Sequence, residues 1–399
     1  MSNPTGAASR YVVVLSDEVR GDLGATAGAL RSIAGVSTIV STRDFPVSAL
    51  DTGQAEAAGA TVFAELGIAV VSIDPDAVTA MSAAAARDPR IVSVEPERVY
   101  SVITDTVTAL PRTQERFTDT GEATWGLCAT QAVTADRDGR GIRVAVLDTG
   151  LDLGHPDFTG RTVFAHSFIP GATAQDGHGH GTHCVGTSCG GWADTGRRYG
   201  VAPAADILVG KVLSDRGYGT DTSVLAGINW AVANRCQVIS MSLGADARDV
   251  SPAYETVGRR ALAAGTLVVA AAGNNASRAF GENGYVSTPA NSPSIMAVAA
   301  VGPRLEVAEF SARSNPVVGG KVDLAAPGVD VYSSWTLPRR YHIVSGTSMA
   351  APHVAGLAAL WSQATGATGT ALWSTLRRVA RRLHLPPADT GAGLAQAPL

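Results

Sequence analysis

Lysine is nearly missing from this 399-residue chain: Lys211 and Lys321 are the only two, and every other basic residue is an arginine. That bias reads as genome composition. The formal net charge is only −4, so no nucleic-acid or other polyanion partner is implied. Cysteine is scarce as well. Cys128, Cys184, Cys189 and Cys236 lie in small-residue or strand-like surroundings and read as small thiols, with a disulfide through Cys128 left open. No apolar run approaches the roughly 18 residues that would suggest a membrane span, so no membrane partner is expected. Residues 1–7 lack a basic segment leading into an apolar one, the mark of a secretory leader. The expected compartment is the cytoplasm if the chain is full length, and the exterior if a leader was trimmed. What is abundant is small and apolar sequence: 45% hydrophobic residues, 44 glycines and a mean hydropathy of +0.13. That composition supports one large or two modest folded domains rather than disorder.

Charge divides the chain. Residues 10–103 carry 7 arginines against 12 acidic residues, a net of −5, and the remainder is close to neutral. Strands are expected at 11–15, 67–73 and 91–95, with helices at 23–33 and 74–86. The second helix is capped by Asp74, with Pro75 in its first turn. Residues 45–60 read as an irregular insertion, and 104–124, without periodicity, as a linker. From 141 onward strands (142–147, 162–168, 206–213, 236–242, 266–271, 294–301, 329–334) alternate with helices (180–190, 220–234, 251–264, 348–363). This alternation implies an α/β domain over 125–399, a parallel sheet with helices on both faces.

Three segments carry chemistry. In Gly346-Thr347-Ser348-Met349-Ala350, a serine stands at the start of an Ala/Gly-rich buried helix. There the orphan N–H groups and the positive end of the dipole favour developing negative charge. Alone, the serine could be a simple helix cap. The apolar run ending Val146-Leu147-Asp148-Thr149-Gly150 puts a carboxylate at a strand's carboxyl end, where open α/β sheets assemble their sites. Asp-Thr-Gly recurs at Asp51, Asp119, Asp194 and Asp389, but only Asp148 follows a strand-like run, so the paired carboxylates of an aspartic protease are missing. In Asp176-Gly177-His178-Gly179-His180-Gly181-Thr182-His183, a Gly/His loop feeds a helix. The three histidines could bind a cation, but a general base at the helix head, His180, is the better reading.

The order Asp148, His180, Ser348 resembles that of the subtilisin-like serine proteases, the subtilases. All three motifs match that family over about 125–376. Cys184 and Trp125-Gly126-Leu127 look nearer its proteinase K branch. The resemblance implies a serine endopeptidase acting through an acyl-enzyme on peptide or protein substrates, as a monomer, with no cofactor for catalysis. It also implies that Asn274, after the strand Val268-Val269-Ala270-Ala271-Ala272-Gly273, supplies an oxyanion donor. Gly217-Tyr218-Gly219 and Ser242-Leu243-Gly244 would be the two edges that pair with substrate, and Ala272, Gly273 and Ser287 would line the main specificity pocket. Asp221 departs from the family, which often places an aromatic there. Residues 1–103 resemble the family's ferredoxin-like inhibitory prodomain, whose last strand lies in the cleft, with a processing site expected within 104–124. A structural calcium is implied at Asp323. A second family position, Asp157, is expected to have lost its ion because Arg197 and Arg198 occupy the partner loop.

Overall fold

The structure, a computed structural model, describes residues 9–103, 117–315 and 320–399, so most of the expected linker lies outside the described residues. The N-terminal unit runs β1 (Ser9–Leu15), α1 (Leu23–Ala34), β2 (Ile39–Ser41), α2 (Thr52–Ala57), β3 (Ala60–Phe63), β4 (Ile68–Ile73), α3 (Val78–Ala85), β5 (Ile91–Pro96) and β6 (Val99–Val102). Its sheet has the order β2-β3-β4-β1-β5. All its pairs are antiparallel except β2 with β3, a short extra edge on a ferredoxin-like four-strand core. Asp22 starts α1 by accepting from Ala25 N at 3.0 Å, and Gly35 ends it in the left-handed region. The segment read as an irregular insertion holds α2, capped by Asp51.

The larger unit opens with α4 (Trp125–Ala129), β7 (Arg143–Asp148), β8 (Val163–Ser167), α5 (His180–Cys189), β9 (Asp206–Lys211), β10 (Tyr218–Thr220) and α6 (Asp221–Ala233). It continues through β11 (Val238–Met241), β12 (Leu243–Gly244), α7 (Pro252–Ala263), β13 (Leu267–Ala271), β14 (Met296–Val301), β15 (Val322–Pro327), β16 (Val331–Ser334) and β17 (Tyr341–Val344). It closes with α8 (Thr347–Thr365), α9 (Gly369–Val379) and α10 (Pro387–Thr390). Seven strands form one parallel sheet, ordered β15-β14-β13-β11-β7-β9-β8. The alternation of β7 shows why helices cover both faces. Val144 and Val146 join the core with α5 and α8, while Ala145 and Leu147 join the core with α6 and α7.

One strand differs from the sequence expectation. Residues 329–334 do not enter the parallel sheet, because β16 forms an antiparallel hairpin with β17. The seventh strand is β15, which was not among the expected strands and has Asp323 as its second residue. Its polar second residue hid it. That carboxylate accepts from Ala297 N at 3.1 Å, where the β14–β15 register shifts, and Pro327 is tolerated because β15 is a sheet edge.

The two units share one core. Val12 and Val14 of β1, with Ile68 and Val70 of β4, pack in the cluster that contains α6 and α7. The opposite face of that small sheet, with Val13, Leu15, Ala69 and Val71, carries α1 and α3. Polar anchors fix the docking. Arg260 of α7 donates to the carbonyls of Leu66, Gly67 and Leu15 at 2.6, 3.0 and 2.8 Å and pairs with Asp17. Glu95 accepts from Ser251 Oγ and Ala253 N at 2.6 and 2.9 Å, and Glu97 accepts from Thr222 N at 3.0 Å. Each carboxylate therefore sits on the N-terminus of a helix in the other unit, where the dipole favours it.

His353 of α8 is buried with Nδ1 2.8 Å from Met349 O, and burial pushes it down to about 4. Its unfolded counterpart takes a proton near pH 6.5, so the stability it contributes is lost as pH falls from there toward 4. Asp221 and Asp323, pushed up to about 6 by burial, act with the opposite sign: their contribution is lost as pH rises through 6. The test is therefore differential. In a Ser348→Ala background, adding His353→Gln should change the slope of urea stability against pH between 6.5 and 4, removing a loss of up to ~1.4 kcal/mol per pH unit as pH falls. Parallel curves would show that His353 titrates alike in both states.

Candidate active site

The carboxyl end of β7 meets the head of α5. Asp148 Oδ1 is 2.7 Å from His180 Nδ1 and accepts from Thr149 N at 2.7 Å, and both side chains are almost fully buried. Burial opposes charge on His180, but the Asp148 carboxylate outweighs it and holds the imidazolium well above its ordinary value. Its Nε2 has no hydrogen-bond partner among the described residues.

Asp176, quoted in the histidine motif but given no role there, builds this junction. Its Oδ1 accepts from His178 N and Gly179 N, each at 2.9 Å, and from Thr149 Oγ1 at 2.9 Å. Its Oδ2 accepts from Thr182 N and Thr182 Oγ1 at 2.9 and 2.7 Å. One carboxylate thus caps α5 and ties it to the residue after Asp148. The signal was a lone acidic residue four places before the helix. The three histidines do not converge on a cation: His183 Nε2 lies 3.0 Å from Val331 O, and burial pushes its ring down to about 3. Asp148, His180 and Cys184 have metal-capable atoms within 4.8 Å of one another, but the Asp148–His180 bond already engages the first two.

Ser348 is the second residue of α8. Its Oγ lies on the carbonyl oxygen of Ile103 and 3.2 Å from Ser242 O. Asn274 follows β13, and its Nδ2 donates to the same Ile103 oxygen at 3.3 Å. Asn274 Oδ1 accepts from Thr347 N and Thr347 Oγ1 at 2.9 and 2.8 Å, which fixes the amide with its NH2 toward Ile103. Gly346 lets the chain come close, since a Cβ there would stand 3.0 Å from the Ile103 oxygen and 3.1 Å from Asn274 Nδ2.

Ile103 arrives on β6, which is the centre of a three-stranded antiparallel sheet between β10 and β12. Tyr218 pairs with Ser101 and Gly219 with Tyr100 on one side; Leu243 pairs with Val102 and Gly244 with Ser101 on the other. Val102 N donates to Gly217 O at 3.0 Å. The strand between the two edges is thus β6, a separate four-residue strand after β5, and not the last strand expected for this unit. Periodicity gave no sign of so short a segment. Beneath Ile103, a Cβ on Gly244 would strike its Cδ1 at 2.7 Å and stand 3.4 Å from Ser287 Oγ. Gly273 borders the same hydroxyl, and Ala272 is wholly buried beside it in sequence, its carbonyl accepting from Ser287 N at 3.1 Å.

Neither calcium position is surrounded by oxygen ligands alone. Asp157 accepts from Tyr199 Oη and Tyr341 Oη at 2.7 and 3.1 Å, and Arg197 stacks on neighbouring Tyr332, so hydroxyls and a cation occupy the surroundings of that carboxylate. Asp323 lines a cavity of about 670 Å³ and brings the one carboxylate among its lining residues, which include Arg377 and Lys321. Arg377 Nε stands 3.9 Å from it. A single carboxylate facing two cations does not fit a hard-cation cage. All four cysteines are free, Cys128 included.

Comparison with known proteins agrees with this geometry. Subtilisin NAT from Bacillus subtilis subsp. natto and subtilisin E from Bacillus subtilis (strain 168) are each 43% identical over 225 residues, 56% of this chain. The chain spans about half, 55%, of the length of those two. M-protease from Shouchella clausii (strain KSM-K16) is 37% identical over 307 residues, 76% of this chain and 74% of its own. No described helix is long and apolar enough to cross a membrane. The family model described as "Subtilase family" matches residues 139–393, which contain the Asp148–His180 pair, Asn274 and Ser348, and the chain belongs to that family.

Proposed function

We propose that this chain is a serine endopeptidase made as a self-processing precursor, in which residues 1–103 are an inhibitory prodomain and Ile103–Thr104 is the bond first cut. The observation that carries the reading is the Ile103 carbonyl, which meets Ser348 Oγ and Asn274 Nδ2 together. In this reading Ser348 Oγ attacks the Ile103 carbonyl carbon while His180 Nε2 takes its proton. Asp148 holds the ring with Nδ1 protonated and stabilises the imidazolium. The oxyanion rests on Asn274 Nδ2 and the Ser348 N–H at the head of α8. Collapse returns the His180 proton to the Thr104 amine, which leaves, and Ile103 remains as an ester on Ser348. Water, deprotonated by the same histidine, then releases the Ile103 carboxylate.

The same cleft would take other peptides as an added strand between Gly217-Tyr218-Gly219 and Ser242-Leu243-Gly244, with an apolar residue in the pocket that Ile103 fills. The enzyme would act as a monomer, using side chains and backbone alone for the chemistry. Cys184, its Sγ 3.9 Å from His180 Nδ1, and the Trp125-Gly126-Leu127 segment support a place nearer the proteinase K branch.

Mass spectrometry of the purified chain should find a fragment beginning at Thr104, and a fluorophosphonate should label Ser348 one to one. Protein that stays whole and takes no label would overturn the reading. Cleavage elsewhere in 104–124 would keep the protease and move the bond.

A further inference from the structure

The outer end of this cleft contains a buried polar group where a strand-binding groove would be expected to be apolar. Tyr100 is the fourth residue before the carbonyl at Ser348, with Ile103 counted as the first, and its ring is fully buried. It lies 5.6 Å, centroid to centroid, from the buried Tyr254 of α7, tilted by 55°. Asp221, the first residue of α6, is also fully buried, and its Oδ2 accepts from the backbone N–H of Arg98 at 2.6 Å. The Arg98 guanidinium is turned to Glu95 instead, at 2.6 Å.

Three atoms remain: Tyr100 Oη, Tyr254 Oη and Asp221 Oδ1, each buried and without a well-formed hydrogen bond. They nevertheless act on one another. Burial, then the neighbouring Asp221 charge, hold Tyr100 well above its ordinary value; burial, then Tyr100 and Asp221, do the same to Tyr254. Burial lifts Asp221, while the Arg98 N–H and the two phenols draw it down. Two phenol hydroxyls and one carboxylate oxygen, shut in together without other partners, have only one another to bond, and one of the hydroxyls comes with the incoming residue. A phenylalanine in the place of Tyr100 would fill the same volume and leave the buried carboxylate one donor short, which costs more than the lost bond itself.

We propose that Asp221 and Tyr254 form a subsite that selects tyrosine as the fourth residue before the cleaved bond. The proposal rests on the endopeptidase reading and deepens it. Arg98 and Tyr100 belong to the chain's own leading segment, so a substrate brings its own backbone N–H and phenol to the same two residues.

The test uses the full chain after self-processing and the substrates acetyl-Arg-Val-Xaa-Ser-Val-Ile-p-nitroanilide, with tyrosine, phenylalanine or alanine as Xaa, so that the arginine N–H is present in all three. The tyrosine peptide should exceed the phenylalanine peptide in kcat/KM by on the order of ten- to a hundredfold. Asp221→Leu should bring that ratio to unity or below, and Tyr254→Phe should lower it by less. Equal hydrolysis of the two peptides by the wild type, or a ratio unchanged in Asp221→Leu, overturns the subsite and leaves the endopeptidase intact. If no peptide is hydrolysed, it is the endopeptidase reading that fails. Urea unfolding of the full chain then decides the subsite: Tyr100→Phe should lower its stability, and by less when Asp221→Leu is already present, whereas an equal effect in both backgrounds overturns it.

Discussion

Ser348→Ala is expected to yield a chain that stays full length and hydrolyses no peptide measurably, a loss on the order of a million-fold in turnover. The substitution removes one oxygen and little else. The head of α8 keeps its N–H, Asn274 keeps its bonds to Thr347, and the Asp148–His180 pair is 2.7 Å apart as before. What disappears is the atom that meets the Ile103 carbonyl. Intact mass and fluorophosphonate labelling read the result, with circular dichroism to show that the fold survives. A Ser348→Ala chain still cut after Ile103 would mean that another group, or another molecule, does the cutting.

Asp148→Asn should cost about four orders of magnitude in kcat at neutral pH with the geometry intact. Asp148 Oδ1 accepts from Thr149 N as well as facing His180 Nδ1. One oxygen serves both, so an asparagine that keeps it there still holds the Nδ1 proton, but the imidazolium formed when the ring takes the Ser348 proton loses its counter-charge. Loss of the carboxylate also removes what holds His180 up, and burial then pulls it down. Residual activity should therefore persist to lower pH than in the wild type. A loss below tenfold, or an unmoved pH profile, would show that Asp148 does not set the state of His180.

The site's elements were legible because each is local. Asp148 ends an apolar run, His180 heads a helix after a glycine loop, and Ser348 opens the longest small-residue helix; each stands out within ten residues of sequence. What was not legible depends on partners far away in the chain. The hydrogen-bond partners of Asp157 are Tyr199 and Tyr341, 42 and 184 residues distant. The strand through Asp323 gave no signal because a carboxylate inside a buried strand makes no sense until Ala297 N and Arg377 are seen beside it. The hairpin of β16 and β17 carries the same apolar signal as a sheet strand, and only its pairing tells them apart. The docking of the first unit was unreadable for the same reason. Arg260 looked like one more arginine on an amphipathic helix, yet it collects three carbonyls from two loops nearly 200 residues or more away in sequence.

The strand β6 is paired on one edge by β10 from Val99 to Ser101 and on the other by β12 at Ser101 and Val102, four residues or roughly 13 Å in all. A chain lying there can have no partner of its own on either side. Strands inside a sheet and residues inside a helix are therefore closed to this cleft until they open, and the free energy of that local opening is added to the barrier for cutting them. On the endopeptidase reading, such a groove would measure how well a substrate is folded before it reads any side chain. For a well-folded protein, its rate of destruction would track the population of its opened segments, and a destabilising mutation in the target would act as an improvement in the enzyme.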